Sequence, residues 1–280
     1  MEVSLFCGVD ILLPPEYGPE AGLEPPGHPS EETGAGYWSL PVLPEASLPS
    51  GIGAGPESPA TFQYGPGRYA AFDISEEAAS RLSGFSRMPL RTFIGQAQPR
   101  IAAFSLKAKA FAHWDATYRF CASCGKPLSW GEGPEADGGK RCGTCGKIFF
   151  PKISPAIIVL VSKGDHILLA HNAKFPKGRH GLIAGFVEAG ETLEETVRRE
   201  VMEEAGIEIG DPRYVSSQPW PFPDSLMLGF EADYLAGEAR PDGVEIDSLG
   251  WFDPDNLPTI PPPGSVARAL IDRFLKSRGK

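Results

Sequence analysis

Apolar residues crowd one stretch of the chain. Phe149-Phe150-Pro151-Lys152-Ile153-Ser154-Pro155-Ala156-Ile157-Ile158-Val159-Leu160-Val161 is a β-branched run that reads as a buried strand. Lys163-Gly164-Asp165 supplies a turn, and Ile167-Leu168-Leu169-Ala170 supplies the returning strand. The period then changes. Leu193, Val197 and Val201 fall on one stripe at ~100° per residue, which predicts an amphipathic helix. Gly185 and Gly190 mark the turn before it, Thr192 with Glu195 has the spacing of a capping box, and Gly206 stops it, so the helix begins near residues 191 to 193. Val266, Leu270 and Phe274 predict a last helix spaced to pack onto a sheet, after the Pro-rich turn 257–264. Residues 102–114 predict another helix, and Tyr69-Ala70-Ala71-Phe72 a short strand. Residues 13–68 are rich in Pro and Gly, which argues for turns and irregular connections. No internal repeat is present.

The polar face of the 193–206 helix changes this picture. Glu200 and Glu204 lie on neighbouring ridges beside the apolar stripe, with Glu203 one step outward. Like charges at i,i+4 disfavour a helix, and carboxylates at a core margin lose solvation. The pattern therefore calls for a compensating cation that prefers oxygen ligands, such as Mg²⁺ or Mn²⁺. The whole segment, Gly185-Phe-Val-Glu-Ala-Gly-Glu191, seven residues, then Arg199-Glu200-Val201-Met202-Glu203-Glu204-Ala205-Gly206-Ile207, resembles the Nudix box at every fixed position. The competing interpretation, an acidic solvated helix, does not account for that register. The resemblance implies a hydrolase of nucleoside diphosphates linked to another group, in which water attacks phosphorus while metal neutralises the oxygens. Glu200, Glu203 and Glu204 are the candidate ligands and catalytic acids. Arg199 is expected to pair with Glu191, and which acid orients the water stays open.

Cys121-Ala-Ser-Cys124 and Cys142-Gly-Thr-Cys145 form two C-x₂-C pairs separated by seventeen residues, which can place four thiolates tetrahedrally around Zn²⁺. Gly125 and Gly146 follow the pairs, where a turn must aim backbone amides at sulfur. A dithiol redox centre would need only one such pair in a βαβ context. With four Cys ligands no position is left for substrate, so the expected zinc is structural.

After the box comes Ser217-Gln218-Pro219-Trp220-Pro221-Phe222-Pro223-Asp224-Ser225, predicted to be a loop stiffened by its prolines and carrying two aromatics. A zinc ribbon, a Nudix box and SQPWPFP in this order are similar to the NADH pyrophosphatase family, over the chain from about residue 119 onward. The resemblance implies hydrolysis of NAD(H) to nicotinamide mononucleotide and AMP, and removal of NAD caps from RNA 5′ ends through the same bond. It implies that Glu245 and the carbonyl of Ala184 complete the metal site. It also implies that Gln218, Pro219, Trp220, Pro221, Phe222, Pro223, Asp224 and Ser225 form the substrate loop. Phe186 and Phe150 correspond to base-stacking aromatics, Ala267 to a backbone contact, and Arg91 to an arginine that meets substrate phosphate. Phe150 departs from the family's Tyr, so a ring face remains but the phenol hydrogen bond is gone. Without the resemblance, both Phe would pass for core residues and Glu245 for a solvated acid. Glu135 and Asp137 compete for the role of an acid the family carries in the ribbon loop.

Composition sets outer bounds. The chain of 280 residues has room for two cored domains joined by a small metal module. No apolar run approaches the ~20 residues of a membrane span, and the N-terminus lacks a signal-peptide pattern. An unpaired fifth cysteine, Cys7, beside four ligand thiolates fits a reducing, cytoplasmic setting. A net charge of −10 makes the protein a poor generic nucleic-acid binder. Only the ribbon segment is net basic, which leaves room for a local contact to RNA trailing from a cap. The expected α+β architecture is an N-terminal α+β domain (1–117), a zinc ribbon (118–150) and a C-terminal Nudix α/β/α sandwich with a mixed sheet (151–280). The resemblance implies a homodimer. A non-catalytic nucleotide sensor is a third possibility, against which the intact acids argue.

Overall fold

The computed structural model describes residues 2–14, 42–44, 60–64, 67–131 and 138–279. Most of the Pro- and Gly-rich stretch 13–68, together with Glu135 and Asp137, lies outside the described residues. Two compact units divide the chain: Met1–Lys152 with Pro221–Pro223, and Ile153–Trp220 with Asp224–Lys280.

In the first unit, β1 (Glu2–Cys7) pairs antiparallel with β2 (Asp10–Leu13) and β3 (Leu43–Pro44), while β4 (Ala60–Tyr64) pairs with β5 (Gly67–Asp73). Parallel pairing of β1 with β5 joins these groups into one sheet. A short helix α1 (Glu76–Ser80), the edge strand β6 (Ser86–Pro89), α2 (Leu90–Gln96) and the long α3 (Pro99–Thr117) complete this α+β region. The predicted strand and helix over 69–72 and 102–114 are both present and longer. One face of α3 buries Phe104 at 0% exposure among the rings of Phe62, Tyr64 and Tyr69. The same helix buries Lys109, which is tolerated because its ammonium meets Asp73 at 2.5 Å.

The ribbon follows as the antiparallel strands β7 (Leu128–Trp130), β8 (Lys140–Cys142) and β9 (Ile148–Phe149). Lys140, 0% exposed, reaches from β8 to the end of α3. It donates to the carbonyls of Asp115 and Tyr118 at 3.1 Å, and its charge sits 2.7 Å from the Asp115 carboxylate. A cation at the helix C-terminus meets both the dipole and the orphan carbonyls.

The second unit is an α/β/α sandwich. Its elements are β10 (Ser154–Lys163), β11 (His166–Asn172), β12 (Ile183–Phe186), α4 (Leu193–Ala205), β13 (Ile207–Ile209), β14 (Arg213–Trp220), β15 (Ser225–Gly237), β16 (Ile246–Phe252) and α5 (Val266–Ser277). The sheet is mixed: β10 runs parallel to β15, and the other pairs are antiparallel. Alternation along β10 explains its unbroken hydrophobicity. Ile157, Val159 and Val161 face the core shared with Val197 and Val201 of α4, whereas Ile158 and Leu160 face the core shared with Val266, Leu270 and Phe274 of α5.

Three sequence expectations need correction. The predicted run from Phe149 to Val161 is not one strand, because Phe149 ends β9 and strand pairing resumes only at Ser154, beyond Pro151. Gly185 is not in a turn but within β12; only Gly190, at φ 99°, is in the turn. Residues 217–225 are not an open loop. Ser217 to Trp220 pair with Leu228 to Ser225, so a hairpin carries the motif and the turn is confined to residues 221–224.

Candidate active site

Helix α4 is locked at both ends by the residues that predicted it. Thr192 Oγ1 accepts from the Glu195 amide at 3.2 Å and the Thr192 amide donates to Glu195 Oε2 at 2.8 Å, while Gly206 closes the helix in the left-handed region at φ 68°. This fixes the rotation of the helix. Val197 and Val201 are 0% exposed, and Glu200 and Glu204 border them at 8% and 7%. Glu203 points outward.

Strand β12 passes directly beneath Glu200. A Cβ built on Gly185 would overlap the Glu200 carboxylate, so a side chain there would displace the acid. Glycine in this strand serves close approach.

Arg199 organises the loop in front of the helix. Its Nε and a terminal nitrogen donate to Glu191 at 2.6 and 2.9 Å, and the same nitrogen reaches the Phe186 carbonyl at 2.9 Å. Its other terminal nitrogen bonds Glu200 at 2.8 Å and Glu203 at 3.0 Å. Glu191 also accepts from Thr196 Oγ1 and the Glu188 amide, and its pKa is lowered to about 2, chiefly by Arg199. Glu191 is therefore a fixed anion inside the protein's own network.

Glu204 is the opposite case. It has no hydrogen-bond or ion-pair partner among the described residues. Burial, followed by the charges of Glu200, Glu245, Asp242 and Glu203, pushes its pKa up from 4.5 to about 8. Burial also raises Glu200, against the opposing pull of Arg199. Glu245 is exposed at the head of β16, and its charge acts on both buried acids. The turn that presents it is built by Asp242, whose carboxylate accepts from the amides of Val244, Glu245 and Ile246 at 2.8–3.2 Å. Sequence reasoning passed over Asp242, although Asp-Gly at 242–243 is a turn signal.

The four acids do not converge as tightly as the cysteines do. Among the described residues, the four Cys form the one set of three or more ligating side chains whose ligand atoms lie within 4.8 Å of one another. Arg199 bridges Glu200 and Glu203 as a positive charge in contact with both. Two buried acids, of which only Glu200 has a cationic partner among the described residues, nevertheless suit a divalent cation with oxygen ligands.

The remaining sequence candidates are distributed over both units. In the second, Ala184 pairs with Ile158, so the backbone of β12 carries its carbonyl beside Gly185. Phe186 is 56% exposed and is not a core residue. Gln218 brackets the start of α5, donating to the Gly264 carbonyl and accepting from the Val266 amide, both at 2.7 Å. Its side chain thus satisfies one of the helix's orphan amides. Ala267 follows at the next helical position, where the backbone amide has no intrahelical partner. Pro219 is exposed, Trp220 and Asp224 are half-buried, and Ser225 is buried. In the first unit, Phe150 is 55% exposed, Pro221 is buried and Pro223 is exposed. The Arg91 guanidinium lies 4.5 Å above the half-buried Phe222 ring.

The cysteines form a separate centre. Sγ–Sγ distances of 3.6 Å (Cys121–Cys145) and 3.5 Å (Cys124–Cys142) approach the ~3.8 Å edge of a tetrahedron with ~2.3 Å Zn–S bonds. Gly125 and Gly146, at φ 69° and 73°, turn the chain so that their amides reach Cys121 O and Cys142 O at 2.8 Å. The Ser123 amide points at Cys121 Sγ, 3.4 Å away. Amide donation from Cys145 leads the effects that lower Cys142 to about 6. This donor set can hold zinc.

The NUDIX domain profile matches residues 152–274. The chain is 44% identical over 189 residues to the "NAD-capped RNA hydrolase NudC" of Stutzerimonas stutzeri, covering 68% of this chain and 67% of that protein. It is 38% identical over 225 residues to the protein of the same description from Pseudomonas aeruginosa, covering 79% and 80%. Among solved structures, a NUDIX hydrolase from Nitrosomonas europaea shares 25% identity, with a TM-score of 0.49 over 57% of this chain and 92% of that one.

Proposed function

The chain belongs to the NudC family of Nudix hydrolases, and from that premise we propose that it hydrolyses the pyrophosphate bond of NAD(H), both as free dinucleotide and as the 5′ cap of RNA. The observation that carries this reading is the pair of buried acids on α4, Glu200 packed against Gly185 and Glu204 one turn further on, within a complete Nudix box. Glu200, Glu203, Glu204, Glu245 and the Ala184 carbonyl would hold Mg²⁺ or Mn²⁺. When bound, that cation supplies neutralisation of the pyrophosphate oxygens and a lowered pKa for the attacking water.

The protein's own residues do the positioning. Arg199 fixes the Glu191 loop against α4, and Gly185 leaves the space that Glu200 fills. The α4 carboxylates, Glu203 being the most exposed, are available to accept a proton from water. Phe186 and Phe150 present ring faces suited to a base, and residues 218–225 with Arg91 and the Ala267 amide would contact the rest of the dinucleotide. Cys121, Cys124, Cys142 and Cys145 would hold a zinc ion that ties the ribbon together. The domain limits 1–117, 118–150 and 151–280, a homodimer and a cytoplasmic location belong to the same reading; five unbridged cysteines support the last. No helix among the described residues is long and apolar enough to cross a membrane.

The test compares NADH with a small pyrophosphate lacking a base, for the parent and for Phe186→Ala, in Mg²⁺ or Mn²⁺. Loss of stacking worth ~1–3 kcal/mol should raise KM for NADH roughly 5- to 150-fold and leave the small substrate nearly unchanged. Equal losses on both substrates would remove base recognition from Phe186, and absence of NADH cleavage by the parent would refute the proposed activity.

A further inference from the structure

We propose that the loop joining β11 to β12 is a contact surface for the RNA chain behind a dinucleotide cap. The inference rests on the pyrophosphatase reading above and names the feature that would distinguish capped RNA from free dinucleotide. From His166 through Val187 the sequence holds no acid, yet it carries Lys174, Lys177 and Arg179 in a protein of net charge −10. Lys174 and Lys177 are exposed, and their ammonium groups have no ion-pair partner among the described residues. Arg179 is half-buried, with its Nε shielded from solvent and lacking an acceptor. Among the described residues, no acid takes up these cations.

The loop is also built to hold its shape. The Lys174 amide donates to Asn172 Oδ1 at 3.0 Å, Phe175 N to Asn172 O at 2.8 Å, Arg179 N to Pro176 O at 3.0 Å, and His180 N to Thr259 O at 2.8 Å. Preorganisation lowers the entropy lost on binding. Its first residue ties it to the candidate metal site, since the Ala173 amide donates to the Glu245 carbonyl at 3.0 Å. Its far end runs into β12, which carries Ala184 and Gly185. A polyanion continuous with a pyrophosphate seated at those residues thus meets the basic loop. Phe175, 41% exposed among the cations, adds a ring on which an unpaired base can stack. Phosphate charge and base stacking together favour single-stranded RNA over an acidic peptide.

The experiment uses the full-length protein and the double variant Lys174→Ala/Lys177→Ala. Its substrates are NADH and a short single-stranded RNA carrying a 5′ NAD cap, and kcat/KM is measured across salt concentrations. Two phosphate contacts on a single strand contribute a slope of about −1.4 in log affinity against log salt. Between about 50 and about 200 mM salt the parent should therefore lose ~7-fold more activity on capped RNA than the variant does. NADH turnover should be the same for both proteins. An unchanged ratio of capped-RNA to NADH activity at every salt concentration overturns the loop's role while leaving the pyrophosphatase reading intact. If the parent cleaves neither substrate, both fail. Inhibition of the parent's capped-RNA activity by poly-glutamate but not by uncapped RNA would mark the loop as a peptide site and also overturn the proposal.

Discussion

Replacing Glu204 by Gln keeps the shape of the most perturbed acid and removes its charge, so it should stabilise the cation-free protein while abolishing turnover. The side chain is 7% exposed, has no hydrogen-bond or ion-pair partner among the described residues, and its pKa is raised from 4.5 to about 8 by burial and then by the neighbouring acids. A raised pKa in the folded state means that the native protein keeps a proton the unfolded chain has already released. Stability from this group is therefore full below about pH 4.5 and is lost as pH rises towards about 8. Integrated from about pH 5 to about pH 8, the loss is roughly 3–4 kcal/mol, an upper figure because the neighbouring acids titrate with it. In a domain of this size that corresponds to a fall in Tm on the order of 10 °C. The Gln variant has no such proton to lose. Unfolding of both proteins should be followed from about pH 5 to about pH 8 in buffer free of Mg²⁺ and Mn²⁺, without chelator, which would also strip any zinc from the cysteine cluster. Adding Mg²⁺ at a hundredfold its Kd should restore about 3 kcal/mol to the parent at high pH and much less to the variant. Parallel pH curves for the two proteins, or equal stabilisation by Mg²⁺, would refute Glu204 as the uncompensated buried charge, and the cation site on α4 with it.

Gly185→Ala places a methyl group where the Glu200 carboxylate lies; that carboxylate is the flexible end of a side chain, so it can swing aside with little effect on folding. Displacement of a ligand by about 1 Å should lower kcat about 10²-fold, with Tm changing by only a few degrees, and parent-like kcat would show that Glu200 is not needed in its observed position. Cys142→Ser should release about one zinc per chain and lower thermal stability, because metal binding is coupled to folding. Equal zinc content in variant and parent, read by elemental analysis, would dismiss the cysteine cluster as a zinc site.

Local features were legible wherever one short segment held the whole cause. The capping box at Thr192 and Glu195, the left-handed stop at Gly206 and the glycines after each C-x₂-C pair all act within a few residues, so spacing was enough to find them. The Arg199–Glu191 pair was also within reach, since both residues belong to one motif. The strand ending at Trp220 was not legible: its prolines argue for a loop, but pairing with β15 supplies the hydrogen bonds that local chemistry withholds. Phe150 and Phe186 could have been core residues until burial was known, because a ring looks the same in sequence whether it packs or waits for a base.

By itself, then, the sequence determined the acids, their rotation about α4, the cysteine spacing and the apolar runs, because helix and strand periods follow from local backbone geometry. The tertiary structure alone decided how deeply each acid is buried. It brought Gly185 beneath Glu200 and set the charge of Glu245 against the buried pair. It also assigned Gln218 to the start of α5. These are contacts between segments far apart in the chain, and the desolvation that perturbs Glu204 exists only when the sheet and helix have closed around it.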